Sequence, residues 1–560
     1  MARLIPLLLA LYGLPLFGAA HDFEIEKAET SYRLNPDNTA EIVYYQKQRA
    51  VTPRGRESLS RVQVAYVPEF HEVEIQFIRT LKKDGTTVEG NPASAFDANA
   101  SNNPLSAYFT DSHVKVLLPP NVETGDAVEY RAVLHVRRWI KPGDFWFAHL
   151  PTTGVVKSET VVLDLPADRK IALYENPATP GKVETGSGRR IERWETSSTG
   201  EQPEATGDVA PPMFAVSSVL SWEDFGAWIR SLNRGPMQPT PEITALAARL
   251  TAGKSGEMEK IAALYSYVAT KVRYIAIEFG SGRIQPHGAG EVLRNSYGDC
   301  KDQTALLSAL LNAAGFKTRA VLVHPFAGVY IPEVPSIVSF SHEFTAVETK
   351  GGLVYLDSSM GPVQPQVMAP GIRGRKALVI GEDSASIVEI PEKPPVPTRF
   401  ELTIKGAVSS TGGFESSVRV ETSGVMELPF RRLFLDSTSA DQEKALLSFG
   451  AQSAAVRQIT HGDPADLTKP FWVAFEGSNP KFFPEPNATI RMDLANGAFP
   501  LQSFESTKRP TKPIPVEPFT IAIKMDLMVS GNFTVDTGMP VHRKIPAAAR
   551  DHASRSVYAQ

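Results

Sequence analysis

The chain holds 560 residues and a single cysteine, Cys300, in the run "NSYGDCKDQTALLSALLNAAGF". A thiolate is a strong nucleophile toward carbonyl carbon, and helix N-termini and imidazoles are what stabilise it. Leu306, Leu307, Leu310, Leu311 and Ala314 recur at helical spacing and Gly315 stands where such a helix ends, so the helix starts near Asp299 and Cys300. Asp299 fits an N-cap, and Gly298 gives the chain freedom to turn into the helix. The first N–H groups there can also receive an oxyanion. The polar neighbours Tyr-Gly-Asp and Lys-Asp-Gln put the thiol at a helix entrance rather than inside the apolar stripe. The ordinary alternative is a small, inert, buried cysteine.

A thiol nucleophile needs an imidazole to take its proton and a third group to orient that imidazole. Eleven histidines are available. His71, His113, His135 and His149 lie in the N-terminal region, His461, His542 and His552 lie far downstream, and His21 follows an apolar leader. His287 and His324 sit beside Pro286 and Pro325 and read as surface or turn residues. His342 differs in having a carboxylate partner. In "SFSHEFTAVETKGGLVYLDSS" a strand sets Phe340, His342, Phe344 and Ala346 on one face, and Lys350-Gly351 turns the chain into "LVYLD". With that two-residue turn, His342 lies opposite Ser359 and Asp357 is its diagonal neighbour on the same face. A shift of one residue would send Asp357 to the other face. The residues alone leave open a half-buried histidine near an unrelated aspartate. Gln285, upstream in a loop, is a side-chain candidate for an oxyanion donor beside the backbone N–H of Cys300.

The elements that must hold these residues change character along the chain. From about residue 22 to 210 the pattern is short, alternating and turn-punctuated. In "VEYRAVLHVRRW", Val128, Tyr130, Ala132, Leu134 and Val136 fall on one strand face, and "HEVEIQFIRTLKKDGTTVEG" reads as two strands joined around Asp84-Gly85. A capped helix opens at "SWEDFGAWIRSLN", and Ile261, Leu264, Tyr265, Val268 and Val272 mark a second. Strand-like runs follow at "TRAVLVH", "SFSHEFTAVET" and "LVYLDSS", an order that suits an α+β domain. The stiff "PEKPPVPT" at 391–398 then separates a further strand-rich region with one helical patch around "DQEKALLSFGAQSAAV". The expected organisation is a leader at 1–20, an N-terminal β-sandwich at 21–215, a central α+β domain at 216–392, and a C-terminal β-rich domain with a polar tail at 393–560.

Bulk properties narrow the function. A net charge of −4, from 58 basic and 62 acidic residues, offers no basic field for nucleic acid. The start "MARLIPLLLALYGLPLFGAA" has signal-peptide grammar, so the expected product begins near His21 and is exported, to the periplasm or outside, without stable membrane insertion. One cysteine excludes an intramolecular disulfide framework. The spacing of histidines, acids and cysteine matches no zinc or EF-hand pattern, so no metal or other cofactor is expected.

Three motifs, "YGDCKDQTALLSALLNAAGF", "FSHEFTAVE" and "VYLDSS", together resemble the transglutaminase-like superfamily over about residues 220–390. The upstream "RYIAIEFGSGRIQPHGAGEVLRNSYGDC" resembles bacterial secreted proteins in which this core follows a DUF3857 domain. The resemblance implies a papain-like fold for the centre and a Cys300, His342, Asp357 triad acting through a thioester. Many members carry "LDPT" at the aspartate where this chain has "LDSSMG", a difference that bears on substrate preference. The implied activity is that of a peptidase, an amidase or an amine acyltransferase on a protein or peptide substrate, including one associated with the cell envelope. The competing expectation is a non-catalytic exported binding or assembly protein on the same scaffold.

Overall fold

The computed structural model describes residues 22–99, 108–200, 211–325, 330–447, 453–482 and 519–529. The expected leader at 1–20 and the polar C-terminal tail lie outside these residues. The described protein is multidomain and rich in β structure.

The N-terminal region is built on one eight-stranded sheet faced by two three-stranded ones. Its centre runs Val155–Pro166, Phe23–Leu34, Ala40–Ala50 and Ala127–Val136 as neighbours. Val128, Tyr130, Ala132, Leu134 and Val136 are all buried, as their alternation predicts. Tyr32, Leu34, Leu134 and Val136 of the large sheet share a core with Phe147, Phe214 and Val216 of one small sheet. Ile78, Val128 and Tyr130 share another with Val62 and Leu117 of the second. Burying two opposed faces is how alternating strands satisfy both water and core.

The central region carries five helices of more than one turn: α1 (Trp222–Asn233), α2 (Pro241–Thr251), α3 (Glu257–Lys271), α4 (Ala289–Asn295) and α5 (Cys300–Ala313). Ser221 caps α1 by accepting from the Asp224 N–H at 3.1 Å, as its sequence suggests. Five antiparallel strands follow: β1 (Thr318–Val323), β2 (His342–Thr349), β3 (Gly352–Leu356), β4 (Lys376–Ile380) and β5 (Ala385–Glu389). Their order in the sheet is β3-β2-β1-β4-β5. The strands β4 and β5 are additional to the three runs singled out in the sequence.

Helix α5 is not the amphipathic helix its leucine stripe suggests. It is enclosed on all sides: Lys301, Asp302, Gln303, Thr304 and Ser308 are buried along with Leu306, Leu307, Leu310 and Leu311. Its apolar stripe packs on α2, α3 and α4, and its polar side lies on β2, where Thr304 Oγ1 donates to the Glu343 carbonyl at 3.2 Å. The helix ends as expected. Gly315 takes φ of +86°, its N–H reaching the Asn312 carbonyl at 3.0 Å while Phe316 N–H reaches Leu311 at 3.0 Å.

Among its described residues the C-terminal region forms a five-stranded sheet with Phe414–Ser423 between Thr398–Val408 and Phe471–Asn479. Helix Ser439–Leu446 covers only the start of the expected helical patch, whose end enters the strand Ala455–His461, and a second helix, Glu427–Asp436, was hidden by Pro429 in its first turn, where proline is tolerated. The proline-rich connection is not a free spacer. Val396 packs with Val425 and Leu428 against Met360, Val363 and Val367, and Leu467 lies fully buried among the central helices.

Candidate functional site

The start of α5 is shaped by reciprocal capping. Asp299 accepts from the Asp302 N–H, and Asp302 accepts from the Asp299 N–H, both at 3.3 Å. Asp302 Oδ1 also takes the N–H of His287 at 2.8 Å, and the His287 ring Nδ1 lies 3.1 Å from it. His287 is therefore a clamp on the helix entrance rather than a free turn residue. A Cβ on Gly298 would stand 2.5 Å from the Asp302 Cβ, so glycine is required there by close approach. The Arg273–Tyr274 segment pairs in parallel with Tyr297–Gly298, which brings Tyr274 beside the turn that leads to Cys300. Cys300 is half-buried. Its polar neighbours are not solvated: Lys301 is buried and ion-paired with Asp299. Burial disfavours the Lys301 charge, but Asp299, Cys300 and Asp302 outweigh it and keep the ammonium protonated.

The β2–β3 hairpin has the register derived from the sequence. Thr349 pairs with Gly352 and Thr345 with Leu356, leaving Lys350-Gly351 as the two-residue turn. β3 stops at Leu356, one residue before Asp357. The carboxylate there caps a short 3-10 turn, with Oδ1 accepting from the Ser359 N–H at 3.1 Å and the Ser359 hydroxyl at 2.6 Å. Oδ2 stays free of that cap and lies 2.8 Å from His342 Nε2. The hydroxyl of Tyr265 donates to the Asp357 carbonyl at 3.2 Å and fixes the backbone beneath it. The His342 ring stacks on Phe344 with centroids 5.9 Å apart. Phe340 does not share that face. β2 begins only at His342, and Phe340, after a 3-10 turn, packs on Trp222 and Phe225 of α1.

Cys300 and His342 line the same cleft, close enough for the sulfur to act on the imidazole charge. Burial works against a charged imidazole, yet the Asp357 carboxylate and then Cys300 outweigh it and raise the His342 pKa well above its ordinary value. For Asp357 burial pulls upward, and the His342 charge with the Ser359 bonds brings the carboxyl below its ordinary value. With Nε2 engaged by Asp357, Nδ1 is the nitrogen left for the sulfur.

Three further groups complete the surroundings. Glu343 lines the cleft next to His342, accepts from Asn233 Nδ2 at 3.0 Å, and has its carboxyl pushed up to about 8, chiefly by burial. Tyr274 lines the cleft too, its phenol held far above the ordinary value by burial and then by the charges of Cys300 and Asp299. Sequence reasoning missed both, since nothing in a lone glutamate or tyrosine marks it as buried beside a thiol. Gln285 is half-buried in its loop, its N–H bonded to the Ser281 carbonyl at 2.8 Å, and it is not part of the cleft lining. His324 is buried rather than on the surface, with Pro325 covered by Gly371. Among the described residues no cluster of three or more His, Cys, Asp or Glu side chains could hold a metal ion.

Two family models match the chain. The domain of unknown function DUF3857 matches residues 36–200, and the transglutaminase-like superfamily matches residues 244–327, a span that contains Cys300 and ends before His342. No curated protein matches. A crystal structure of a candidate protease from Parabacteroides distasonis aligns with TM-score 0.56 and 16% identity over 82% of this chain and 93% of its own. At that identity the likeness is one of fold. A candidate cysteine protease from Cytophaga hutchinsonii, 13% identical over 44% of this chain and 86% of its own, aligns with a TM-score of only 0.19 and carries no weight. The chain thus carries a segment that matches DUF3857 followed by one that matches the transglutaminase-like superfamily.

Proposed function

We propose that the protein is a thiol enzyme acting on peptide or carboxamide bonds, with Cys300 as nucleophile, His342 as its proton acceptor and Asp357 as the group that orients the imidazole. The observation that carries this reading is the His342 ring, bonded to Asp357 at 2.8 Å and lining one cleft with Cys300. Cys300 gives its proton to His342, whose raised pKa favours holding it. The thiolate attacks the carbonyl carbon and forms a C–S bond. The oxyanion is received by the Cys300 backbone N–H, with the neutral Tyr274 hydroxyl favoured over Gln285 as second donor because Tyr274 lines the same cleft. His342 gives its proton to the leaving amine as the C–N bond breaks, and a thioester remains. Water then yields a peptidase or amidase, and an amine yields a transferred acyl group. The transglutaminase-like core and the fold shared with a candidate protease support the peptidase-like branch.

The test is labelling by a thiol-directed probe between pH 5 and 8, wild type against His342→Ala. Fast labelling of Cys300 at pH 5–6 that disappears in the variant is expected. A rate equal to that of a free thiol throughout would leave only a scaffold. The leader grammar supports export, and N-terminal sequencing should find a chain starting near His21; an intact Met1 in purified membranes would overturn that. No helix among the described residues is long and apolar enough to cross a membrane.

A further inference from the structure

The cleft holding Cys300 and His342 has a volume of about 240 Å³ in all, and its far wall belongs to the N-terminal region. Phe70, Trp139 and Trp146 come from that region, and Ile284, Leu322 and Phe340 from the central one. Specific contacts hold the two walls together. Ala276–Glu278 pairs in parallel with Tyr108–Thr110, and the Arg283 guanidinium donates to Thr110 Oγ1 at 3.1 Å, to Ser112 Oγ at 2.8 Å and to Asp111. Gly280 N–H reaches Asp111 Oδ2 at 2.9 Å, and a Cβ on Gly280 would stand 2.3 Å from Glu69 Oε2.

We propose that this space is a specificity pocket that takes one large apolar side chain, aromatic or branched aliphatic, on the residue whose carbonyl Cys300 attacks. The proposal rests on the thiol-enzyme reading above and names the substrate class for it. Size supports a single side chain. An apolar cavity of about 150 Å³ holds benzene, whereas complete small-molecule sites run to roughly 300–1,000 Å³. Electrostatics supports an apolar one. Arg138 is engaged by Glu69, Arg283 by Asp111 and Glu278, and Lys301 by Asp299, so a charged side chain entering here would compete with pairs already made. His71 stays neutral, since burial and then Arg283 and Arg137 bring its pKa down to about 4, and its Nδ1 accepts from the Val67 N–H at 3.2 Å. The N-terminal DUF3857 segment would then act as the specificity wall of the catalytic core.

The test uses the full chain and has two arms. In the first, Cys300→Ala is titrated by calorimetry with N-acetyl-phenylalaninamide and N-acetyl-glycinamide. Burial of one large apolar side chain predicts about 10- to 100-fold tighter binding of the phenylalanine amide. Ile140→Glu, at a half-buried bend in the lining, is expected to reduce that ratio at least tenfold. Equal binding of both amides, or binding of neither, overturns the pocket. In the second arm, wild-type enzyme is acylated with activated esters of phenylalanine, leucine, aspartate and glycine. Acylation without side-chain preference overturns the pocket and leaves the thiol chemistry standing. Selective binding in the first arm with no acylation in the second supports the pocket and sinks the thiol chemistry instead.

Discussion

Nε2 of His342 lies 2.8 Å from Oδ2 of Asp357, while Oδ1 of the same carboxylate is held by the N–H and hydroxyl of Ser359. Asp357→Asn keeps an acceptor for Ser359 and removes the charge that raises His342. Cys300 acylation is expected to fall by about 10³–10⁴-fold, the scale seen when the orienting carboxylate of a triad is neutralised. The signs for the pair run in opposite directions. His342, raised in the folded state, contributes stability fully present below about pH 6.5 and lost as pH climbs through its raised value. Asp357, lowered, contributes stability present above about pH 3.9 and lost as pH falls through its folded value. Alkylation rates against pH check the first claim; coincident profiles for wild type and Asp357→Asn would refute it.

Glu343 gives a second pH dependence of opposite sense to Asp357. Its carboxyl is pushed up to about 8 mainly by burial, so wild-type stability should decline as pH rises from about 4.3 toward 8. Glu343→Gln keeps an acceptor for Asn233 and has no proton to lose. It should be more stable than wild type by roughly 1–3 kcal/mol at pH 8 and nearly equal at pH 4.5. Denaturant melts at the two pH values decide; a variant destabilised equally at both would count against the buried neutral acid.

Asp302→Ala leaves the N–H groups of His287 and Asp299 without the acceptor they share in a buried turn. A loss of about 2–4 kcal/mol is expected from the cap and the stranded donors together. Asp302→Asn should recover part of it. Thermal unfolding of the three proteins provides the comparison, and an alanine variant within 0.5 kcal/mol of wild type, a limit of about the size of a surface substitution, would show the clamp to be idle.

Arg431 and Glu427 form a fully buried ion pair at 2.7 Å, and Arg431 also donates to the carbonyls of Pro464 and Asp466 at 3.1 and 3.0 Å. Arg431→Ala strands those acceptors and leaves Glu427 unpaired, which should cost about 3–5 kcal/mol. The double variant Arg431→Met, Glu427→Leu is expected to be at least 1 kcal/mol more stable than the single, because no lone charge remains buried. Chemical denaturation of both separates the effects; a double variant below the single would refute that account.

The sequence by itself determined the local parts of the candidate site. Helical spacing and Gly315 set where α5 begins and ends, and Lys350-Gly351 with period-two alternation set the register that brings Asp357 to His342, since turn length and side-chain parity are properties of adjacent residues. Burial was decided elsewhere. Lys301, Asp302 and Gln303 read as the polar entrance of a helix and are enclosed, because α2, α3, α4 and β2, distant in sequence, close around α5. The isolation of Glu343, the place of Tyr274 beside the Cys300 turn and the aromatic wall of Trp139 and Trp146 depend likewise on contacts between regions more than a hundred residues apart or on a short strand pair no pattern announces. A nucleophile's neighbours along the chain follow from spacing; the dielectric and the pocket around it exist only once those remote surfaces have excluded water.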